Sequence, residues 1–276
     1  MIRELCHDFP VRVLCQTLEL SRSTYYYQRA DNDDLSVLSW IEEVLLRFPT
    51  YGCPRITEQL WREGHPVNHK RVERILREND LIRVLKRRCT TTDSVHGYRR
   101  YPNLLRHLEV TRPDQVWCAD ITYVQLPRGF AYLAILLDLF TRGLRGWHLG
   151  RMLSTELALT ALQKALRQGT PEIHHSDQGV QYAAYGYTAA LEQRGVRVSM
   201  AAVGQATENA YAERVIRTIK EEEVYLADYE SFADAYQRIG HFIEDVYRTK
   251  RIHSALGYLT PAEFEAHYRD AVQDTP

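Results

Sequence analysis

The chain has 276 residues, 45% of them hydrophobic and 11% aromatic, which supports a sizeable core and excludes a disordered protein. Its net charge of −1 does not by itself indicate a nucleic-acid-binding protein. No run approaches the ~18 apolar residues of a membrane span, and the N-terminus lacks a signal-peptide core, so a cytoplasmic protein is expected. Five scattered cysteines without zinc-ligand spacing predict reduced thiols.

The N-terminal part of the chain predicts helices. Residues 1–30 are typical of a short helical segment, and residues 31–92 of a helix-turn-helix-like DNA-binding region. In that region a helix over about 35–47 precedes a short helix over 55–62 and a basic helix over 68–79. The basic side chains predicted to contact DNA are Lys70, Arg71, Arg74, Arg77, Lys86, Arg87 and Arg88. A solvated helical hairpin with ordinary surface arginines is the alternative interpretation.

The uneven distribution of charge supports the DNA-binding interpretation. Residues 62–100 carry eleven basic and five acidic side chains, a net charge of +6, so the rest of the chain carries −7. A basic segment beside an acidic body is expected where phosphates bind at one place and metal ions at another.

The pattern of the chain then changes from helices to strands. Residues 93–112 lack a clear period and predict a basic linker. Residues 113–225 predict three strands joined by tight turns, followed by a helix, strand, helix, strand and helix. This β-β-β-α-β-α-β-α order predicts an α/β ribonuclease-H-like fold, in which a mixed sheet has flanking helices. Residues 226–276 predict a C-terminal helical segment.

Three acids of the strand-rich unit are predicted catalytic residues and metal ligands. Asp120 lies in mid-strand among apolar neighbours, where an unpaired carboxylate is costly. Asp177 follows the carboxyl end of a strand, and Glu213 lies on the last helix. Proteins hold two hard divalent cations for phosphoryl transfer with acids gathered in this way. Each acid alone is more often structural, but the combination favours function.

The helix that carries Glu213 is predicted to be amphipathic. Its polar face adds three predicted DNA contacts, namely Asn209, Arg217 and Lys220. The buried stripe on the opposite side is predicted to contain Tyr211, Val215 and Ile219. The acidic run at 221–223 is interpreted as a solvated face.

Several segments together resemble the DDE transposases of the insertion sequence 3 family, whose catalytic core is similar to that of retroviral integrases. The resemblance is carried by residues 51–56, 117–123, 137–142, 175–182, 209–220 and 247–261. It covers nearly the whole chain. Glu208 stands where the family usually has Asp, and Arg214 stands where it usually has Ser, and neither departure changes the three acids.

The resemblance implies a transposase that cleaves insertion-sequence ends with water and then joins the 3′-hydroxyl to a target strand. It implies two Mg²⁺ or Mn²⁺ ions per active site, and double-stranded DNA of terminal inverted repeats and target as partners. It further implies a homo-oligomer on DNA, nucleoid association, and a downstream-frame product that acts alone or with an upstream-frame helix-turn-helix protein or fusion. Arg248 and Arg251 of the C-terminal motif are predicted DNA contacts, with a helical brace as the alternative.

Two other functions remain open from the sequence. One is a catalytically inactive integrase-like DNA-binding protein, and the other is a ribonuclease-H-type nuclease. The long N-terminal helical region and the 35 residues between Asp177 and Glu213 favour transposition.

Overall fold

The computed structural model describes residues 10–18, 20–21, 34–81, 99–202 and 209–273. A five-stranded sheet lies at the centre, and helices cover both of its faces. The expected ribonuclease-H-like mixed α/β arrangement is therefore confirmed. No described helix is long and apolar enough to cross a membrane.

The N-terminal region contains the helices that the sequence predicts. These are α1 Val11–Thr17, α2 Asp34–Arg47, α3 Cys53–Arg62 and α4 His69–Glu78. Pro54 lies in the first turn of α3, where its missing N–H costs nothing. Asn68 caps α4, because its side chain accepts the Lys70 N–H at 2.9 Å. Helices α2 to α4 pack around a common apolar core.

This helical core also includes part of the C-terminal segment. Ile252 is fully buried among the helices, and its N–H donates to the Tyr51 hydroxyl at 3.1 Å. Arg62 donates to the Tyr258 carbonyl at 3.0 Å and forms an ion pair with Glu263. The C-terminal segment therefore joins the N-terminal helices to the rest of the molecule.

The sheet has the order β3-β2-β1-β4-β5. Its strands are β1 Val116–Gln125, β2 Phe130–Asp138, β3 Leu144–Gly150, β4 Ile173–Ser176 and β5 Arg197–Met200. The central strand β1 pairs antiparallel with β2 and parallel with β4, and β4 pairs parallel with β5. This arrangement places the middle of β1 beside the end of β4.

Helices cover the two faces of the sheet separately. One face carries α5 Thr155–Ala165, α6 Val180–Ala183 and α7 Tyr185–Glu192. The other face carries α8 Ala210–Ile219 and α9 Phe232–His241. Both α8 and α9 continue as π-helical turns, and α10 Pro261–Gln273 ends the described chain. Residues 205–208 before α8, including Glu208, lie outside the described residues.

The segment before β1 packs against the sheet, although its sequence predicts a linker without a regular period. The Leu104 N–H donates to the Ser199 hydroxyl at 2.9 Å, and Leu104, Leu105 and Leu108 pack against buried residues of β1 and β4. The described part of this segment, residues 99–112, is therefore part of the core unit. The proposed domain boundaries at 30, 92, 112 and 225 remain predictions.

Acid is expected to destabilise this fold through His174. The side chain is buried in β4 with Nε2 2.8 Å from the Tyr187 hydroxyl, and burial, with neighbouring His175, lowers its pKa to about 3. The unfolded chain, with an ordinary histidine pKa of about 6.5, binds more protons between these two values. The free energy of unfolding therefore falls as pH drops through that range.

Melting temperatures measured from pH 7 to 4.5 check this prediction. The His174→Gln variant should show a flatter fall than the wild type. Replacement of the exposed His267 in α10 by Gln should leave the wild-type slope unchanged. Equal slopes for all three proteins would contradict the prediction.

Candidate active site

Strands β1 and β4 bring two of the predicted acids side by side. Their parallel register pairs Val116 with Ile173 and Cys118 with His175. The pairing ends there, because β4 ends at Ser176 and Asp177 follows it directly. Asp120 lies two residues beyond Cys118, and Asp177 lies two residues beyond His175. Because alternate residues of a strand point to one face, Asp120 lies on the same face as Val116 and Cys118, which pack with Ala212 of α8. Neighbouring strands lie about 4.8 Å apart, so the two carboxyl groups are neighbours.

The electrostatics of Asp120 reflect the charges of the other two acids. Burial, then the charge of Asp177 and a smaller effect of Glu213, raise the pKa of Asp120 to about 8, against the opposing effects of the Ile121 N–H and Lys220. The carboxyl group accepts only the Ile121 N–H, at 2.8 Å, among the hydrogen bonds of the described residues. This group therefore lacks the compensation that a buried carboxylate normally has.

A tight turn after β4 orients the second acid. The Asp177 carboxylate accepts the Gly179 N–H at 2.9 Å, and α6 begins directly afterwards. A methyl group on Gly179 would stand 2.9 Å from the same carboxylate oxygen. The absence of a side chain at Gly179 therefore allows this close approach.

Replacement of Gly179 by Ala is expected to lower catalysis about 10–100-fold, because the added methyl group displaces the Asp177 carboxylate. Backbone strain is not involved, since Gly179 has φ −64° and ψ 141°. Gly186 in α7 is a matched control, because nothing lies within 4 Å of its added methyl group. Gly186→Ala should keep full activity and be as stable as the wild type or slightly more stable. Single-turnover strand-transfer rates compare the two, and equal rates would refute the steric argument.

Glu213 lies in the first turn of α8 and is partly exposed. Burial raises its pKa, the nearby Arg217 lowers it, and the charge of Asp177 raises it. All three acids are thus within electrostatic range of one another. No three described His, Cys, Asp or Glu side chains form a ready-made group for one metal ion. Mg²⁺, however, is usually held by one or two carboxylates with water and substrate phosphates, and paired carboxylates fit that chemistry.

The first predicted DNA contact on this helix, Asn209, has a different environment. Its side chain is 3% exposed, and Nδ2 donates to the Ala119 carbonyl at 3.1 Å. Burial argues against DNA contact and leaves Asn209 joining the start of α8 to the strand beside Asp120. An asparagine at the start of a helix can contact DNA or hydrogen-bond to a neighbouring strand, and the sequence contains no signal that distinguishes these two roles.

The predicted buried stripe of α8 is partly wrong. Val215 and Ile219 are buried as expected, but Tyr211 is 50% exposed and its ring lies 4.2 Å from the Arg142 guanidinium. Ala212 instead packs against the sheet. The buried side of the helix is therefore rotated towards Ala212, because this small residue allows α8 to approach β1 closely.

The two cations of α8 lie near the acids. Arg217 is exposed, and its charge lowers the pKa of Glu213. Lys220 is half-buried, with Nζ 4.2 Å from the centre of the Tyr123 ring, and burial lowers its pKa while Asp120 raises it. Lys220 also lines a cleft of about 370 Å³. Both residues remain predicted DNA contacts.

The basic side chains of α4 are exposed or form ion pairs at the surface. Arg71 and Arg74 both pair with Asp34, at 2.9 and 2.8 Å, and Arg77 pairs with Glu73. Lys70 is exposed. Such surface pairs contribute little to stability, so phosphates can compete for these arginines. The predicted contacts Lys86, Arg87 and Arg88 lie outside the described residues.

The two arginines of the C-terminal motif differ in burial. Arg248 is exposed and remains a predicted DNA contact. Arg251 is 3% exposed, and its guanidinium donates to both carboxylate oxygens of Glu222 at 2.7 Å. This burial favours the brace alternative for Arg251. The interpretation of Glu222 as part of a solvated face is wrong, because it holds this buried arginine.

Comparison with known proteins identifies the family of the chain. Family models of the integrase core domain match residues 110–206 and 194–261, and an HTH-like domain model matches residues 31–89. The chain is 35% identical to the insertion element IS600 uncharacterized 31 kDa protein of Shigella sonnei, over 92% of this chain and 98% of that protein. It is 32% identical to transposase InsF for insertion sequence IS3A of Escherichia coli (strain K12), over 94% of each chain.

The core also resembles the HTLV-2 integrase catalytic core domain solved in complex with magnesium, with 13% identity and a TM-score of 0.45, over 55% of this chain and 96% of that one. The matched domains and the fold define an integrase-core enzyme of the DDE polynucleotidyl transferase class. Within that class, the chain belongs to the transposases of the insertion sequence 3 family.

Proposed function

We propose that this transposase cleaves and joins DNA strands at the ends of its own insertion sequence, with Asp120, Asp177 and Glu213 as catalytic residues. The observation that carries the proposal is that Asp177 directly follows β4, which pairs with β1 next to Asp120, while Glu213 is within electrostatic range of both acids. Partly buried, mutually repelling carboxylates of this kind are stabilised by a cation between them.

The proposed metal ligands are the same three acids. Asp120 and Asp177 would share one ion, and Glu213 would share a second ion with one of them and with substrate phosphate oxygens. A divalent ion, Mg²⁺ or Mn²⁺, would activate water or a DNA 3′-hydroxyl and stabilise the charge on the leaving oxygen. The protein positions these ligands through the Ile121 and Gly179 N–H groups and through Asn209, which fixes the start of α8.

The proposed DNA path connects the acids to the N-terminal helices. Arg217 and Lys220 would hold phosphates beside the active site, and the exposed side of α4 would contact the double-stranded terminal repeat. Arg248 would contribute from the C-terminal segment. We further propose that a homo-oligomer assembles on the paired ends, alone or with an upstream-frame helix-turn-helix partner or fusion.

Strand joining of labelled terminal-repeat oligonucleotides tests the proposal. The wild-type protein should join the 3′-end to a target duplex with Mg²⁺ or Mn²⁺, and a chelator should abolish the reaction. An RNA–DNA hybrid in a parallel reaction distinguishes a ribonuclease H. Joining that persists in the chelator would overturn the metal assignment. Cleavage of the hybrid without joining, or DNA binding without either reaction, would overturn the proposed function.

A further inference from the structure

We propose that three arginines at the junction of the N-terminal helices and the catalytic core form a binding site for one DNA backbone phosphate. The arginine site consists of Arg55, Arg142 and Arg214, and the buried pair of Arg251 and Glu222 lies beneath it. The inference rests on the proposed DNA substrate and assigns a phosphate contact to residues outside the predicted set.

The three arginines come from separate elements of the fold. Arg55 is on α3, Arg142 is in the turn between β2 and β3, and Arg214 follows Glu213 on α8. The Arg142 guanidinium lies 4.2 Å from the centre of the Tyr211 ring. Residues three apart on a helix are neighbours, so Tyr211 places Arg142 beside Arg214. The site therefore joins the helix-turn-helix-like region to the helix of a proposed catalytic acid.

The charge of this junction is not balanced. Its carboxylate, Glu222, binds Arg251 with both oxygens at 2.7 Å, whereas the Arg55 nitrogen is 3.8 Å away. Arg142 and Arg214 have no ion-pair partner among the described residues. Asp138, the acid closest in sequence to Arg142, is already bound by Arg145 and by N–H groups of its own turn. Arg55, Arg142 and Arg214 therefore leave a strong positive charge.

Arg142 also has an unused hydrogen-bond donor. Its Nη1 atom is buried without a hydrogen-bond acceptor among the described residues. A buried donor without an acceptor is destabilising, and a charged arginine donor more so. The residue is held in this position by the Tyr247 hydroxyl, which donates to the Arg142 carbonyl at 3.1 Å. An anionic oxygen at the site would satisfy both the charge and the donor.

The positive charge of this junction also affects the neighbouring His253. Burial and then the charges of Arg251, Arg55 and Arg142 lower the pKa of His253 to about 3. His253 is therefore neutral at physiological pH and adds no further charge. The Arg55 pKa is itself lowered, first by burial and then by Arg251, with a smaller effect from Arg214. Glu222 opposes this lowering, and the cations of the junction therefore act on one another's charge.

A phosphodiester fits this site better than a carboxylate of the protein. One arginine guanidinium can bind two phosphate oxygens at once. Three guanidinium groups from separate elements can therefore surround one tetrahedral phosphate. The exposed Arg214 and Tyr211 leave the site open to solvent. A DNA strand whose 3′-end reaches Glu213 would also pass close to Arg214, the next residue of α8. Bound DNA would thus fix the N-terminal helices against the active site.

Methylphosphonate interference tests the assignment. The full-length protein carrying Asp177→Asn, which removes turnover, is titrated with terminal-repeat duplexes in which one phosphate at a time is a neutral methylphosphonate. We expect one position to weaken binding about tenfold. That penalty should disappear when Arg214→Ala is added. Arg214→Ala should also lower the slope of log affinity against log salt by about one.

The matched control is Arg167→Ala, which removes an exposed arginine after α5 on the opposite face of the sheet. It should leave the methylphosphonate profile unchanged. Identical profiles for Arg214→Ala and Arg167→Ala would overturn the arginine site, even if the wild-type protein joins strands. No affinity of the wild-type protein for these duplexes would overturn the site and the proposed function together. Because Arg214 is exposed, its replacement does not put folding at risk.

Discussion

Replacing Asp120 by Asn is expected to lower the rate of strand transfer by at least about 10³-fold without loss of folding. An amide has the same shape as the carboxyl group but carries no charge for a divalent cation. The loss corresponds to about 4 kcal/mol of transition-state stabilisation, which is the size expected for a metal ligand in phosphoryl transfer. Asp177→Asn should have a comparable effect, because Asp177 follows the strand that pairs with β1 and its charge acts on Asp120.

The same variant should be at least as stable as the wild type when no metal is present. The Asp120 carboxylate is destabilised by burial and by the charge of Asp177, and Asn removes both effects. Its oxygen can still accept the Ile121 N–H. Because the pKa of Asp120 is raised in the folded state, wild-type stability from this group is lost as pH rises from about 4 towards 8. The advantage of the Asn variant therefore grows over that range.

Thermal unfolding in a chelator, with and without added Mg²⁺, gives the measurement. Mg²⁺ should raise the melting temperature of the wild type more than that of Asp120→Asn, because the ion binds the folded state. Asp270→Asn removes an exposed acid of α10 and should change neither stability nor rate. Strand transfer by Asp120→Asn near the wild-type rate would exclude the proposed role of this acid.

The core of the site could be predicted because its signals are local. An acid inside an apolar strand and an acid at a strand end follow from residue alternation and turn residues alone. The order of strands and helices then predicts that β1 and β4 are neighbours. That order brings the end of β4, and with it Asp177, close to Asp120.

The surroundings of the site could not be predicted in the same way. Whether Asn209 faces solvent or the Ala119 carbonyl depends on a rotation of α8 that the small residue Ala212 permits. The 3.6-residue period predicts which residues lie on the apolar face of a helix and which lie on the polar face. The packing partner decides which residues at the border between these faces are buried. The position of Tyr211 was wrong for this reason.

The packing of the C-terminal segment against the N-terminal helices could not be predicted from local sequence patterns either. Ile252 and Tyr51, which form a hydrogen bond, are 201 residues apart in the sequence. Periodicity contains no information about such a pair. The charged motif of Arg248 and Arg251 looked like one DNA-binding cluster, and only tertiary packing separates an exposed arginine from a buried one.

Replacing Arg251 by Met is expected to lower the free energy of unfolding by about 3–5 kcal/mol. Removal of one partner from a buried ion pair leaves the other charge without compensation, and Glu222 has only 11% of its side chain exposed. Arg55 cannot take over this role without moving, since its guanidinium is 3.8 Å from Glu222 and partly solvated. Chemical denaturation of the two proteins measures the difference.

The double variant Arg251→Met with Glu222→Met distinguishes a broken ion pair from lost packing. It should recover much of the stability, because two apolar side chains of similar volume leave no buried charge. Arg248→Met, three residues away and exposed, should leave stability within about 0.5 kcal/mol and weaken DNA binding instead. If Arg251 contacted DNA directly, the opposite pattern would appear, with weaker binding at unchanged stability. The comparison of these two arginines therefore decides whether the C-terminal motif is a brace at one position and a DNA contact at the other.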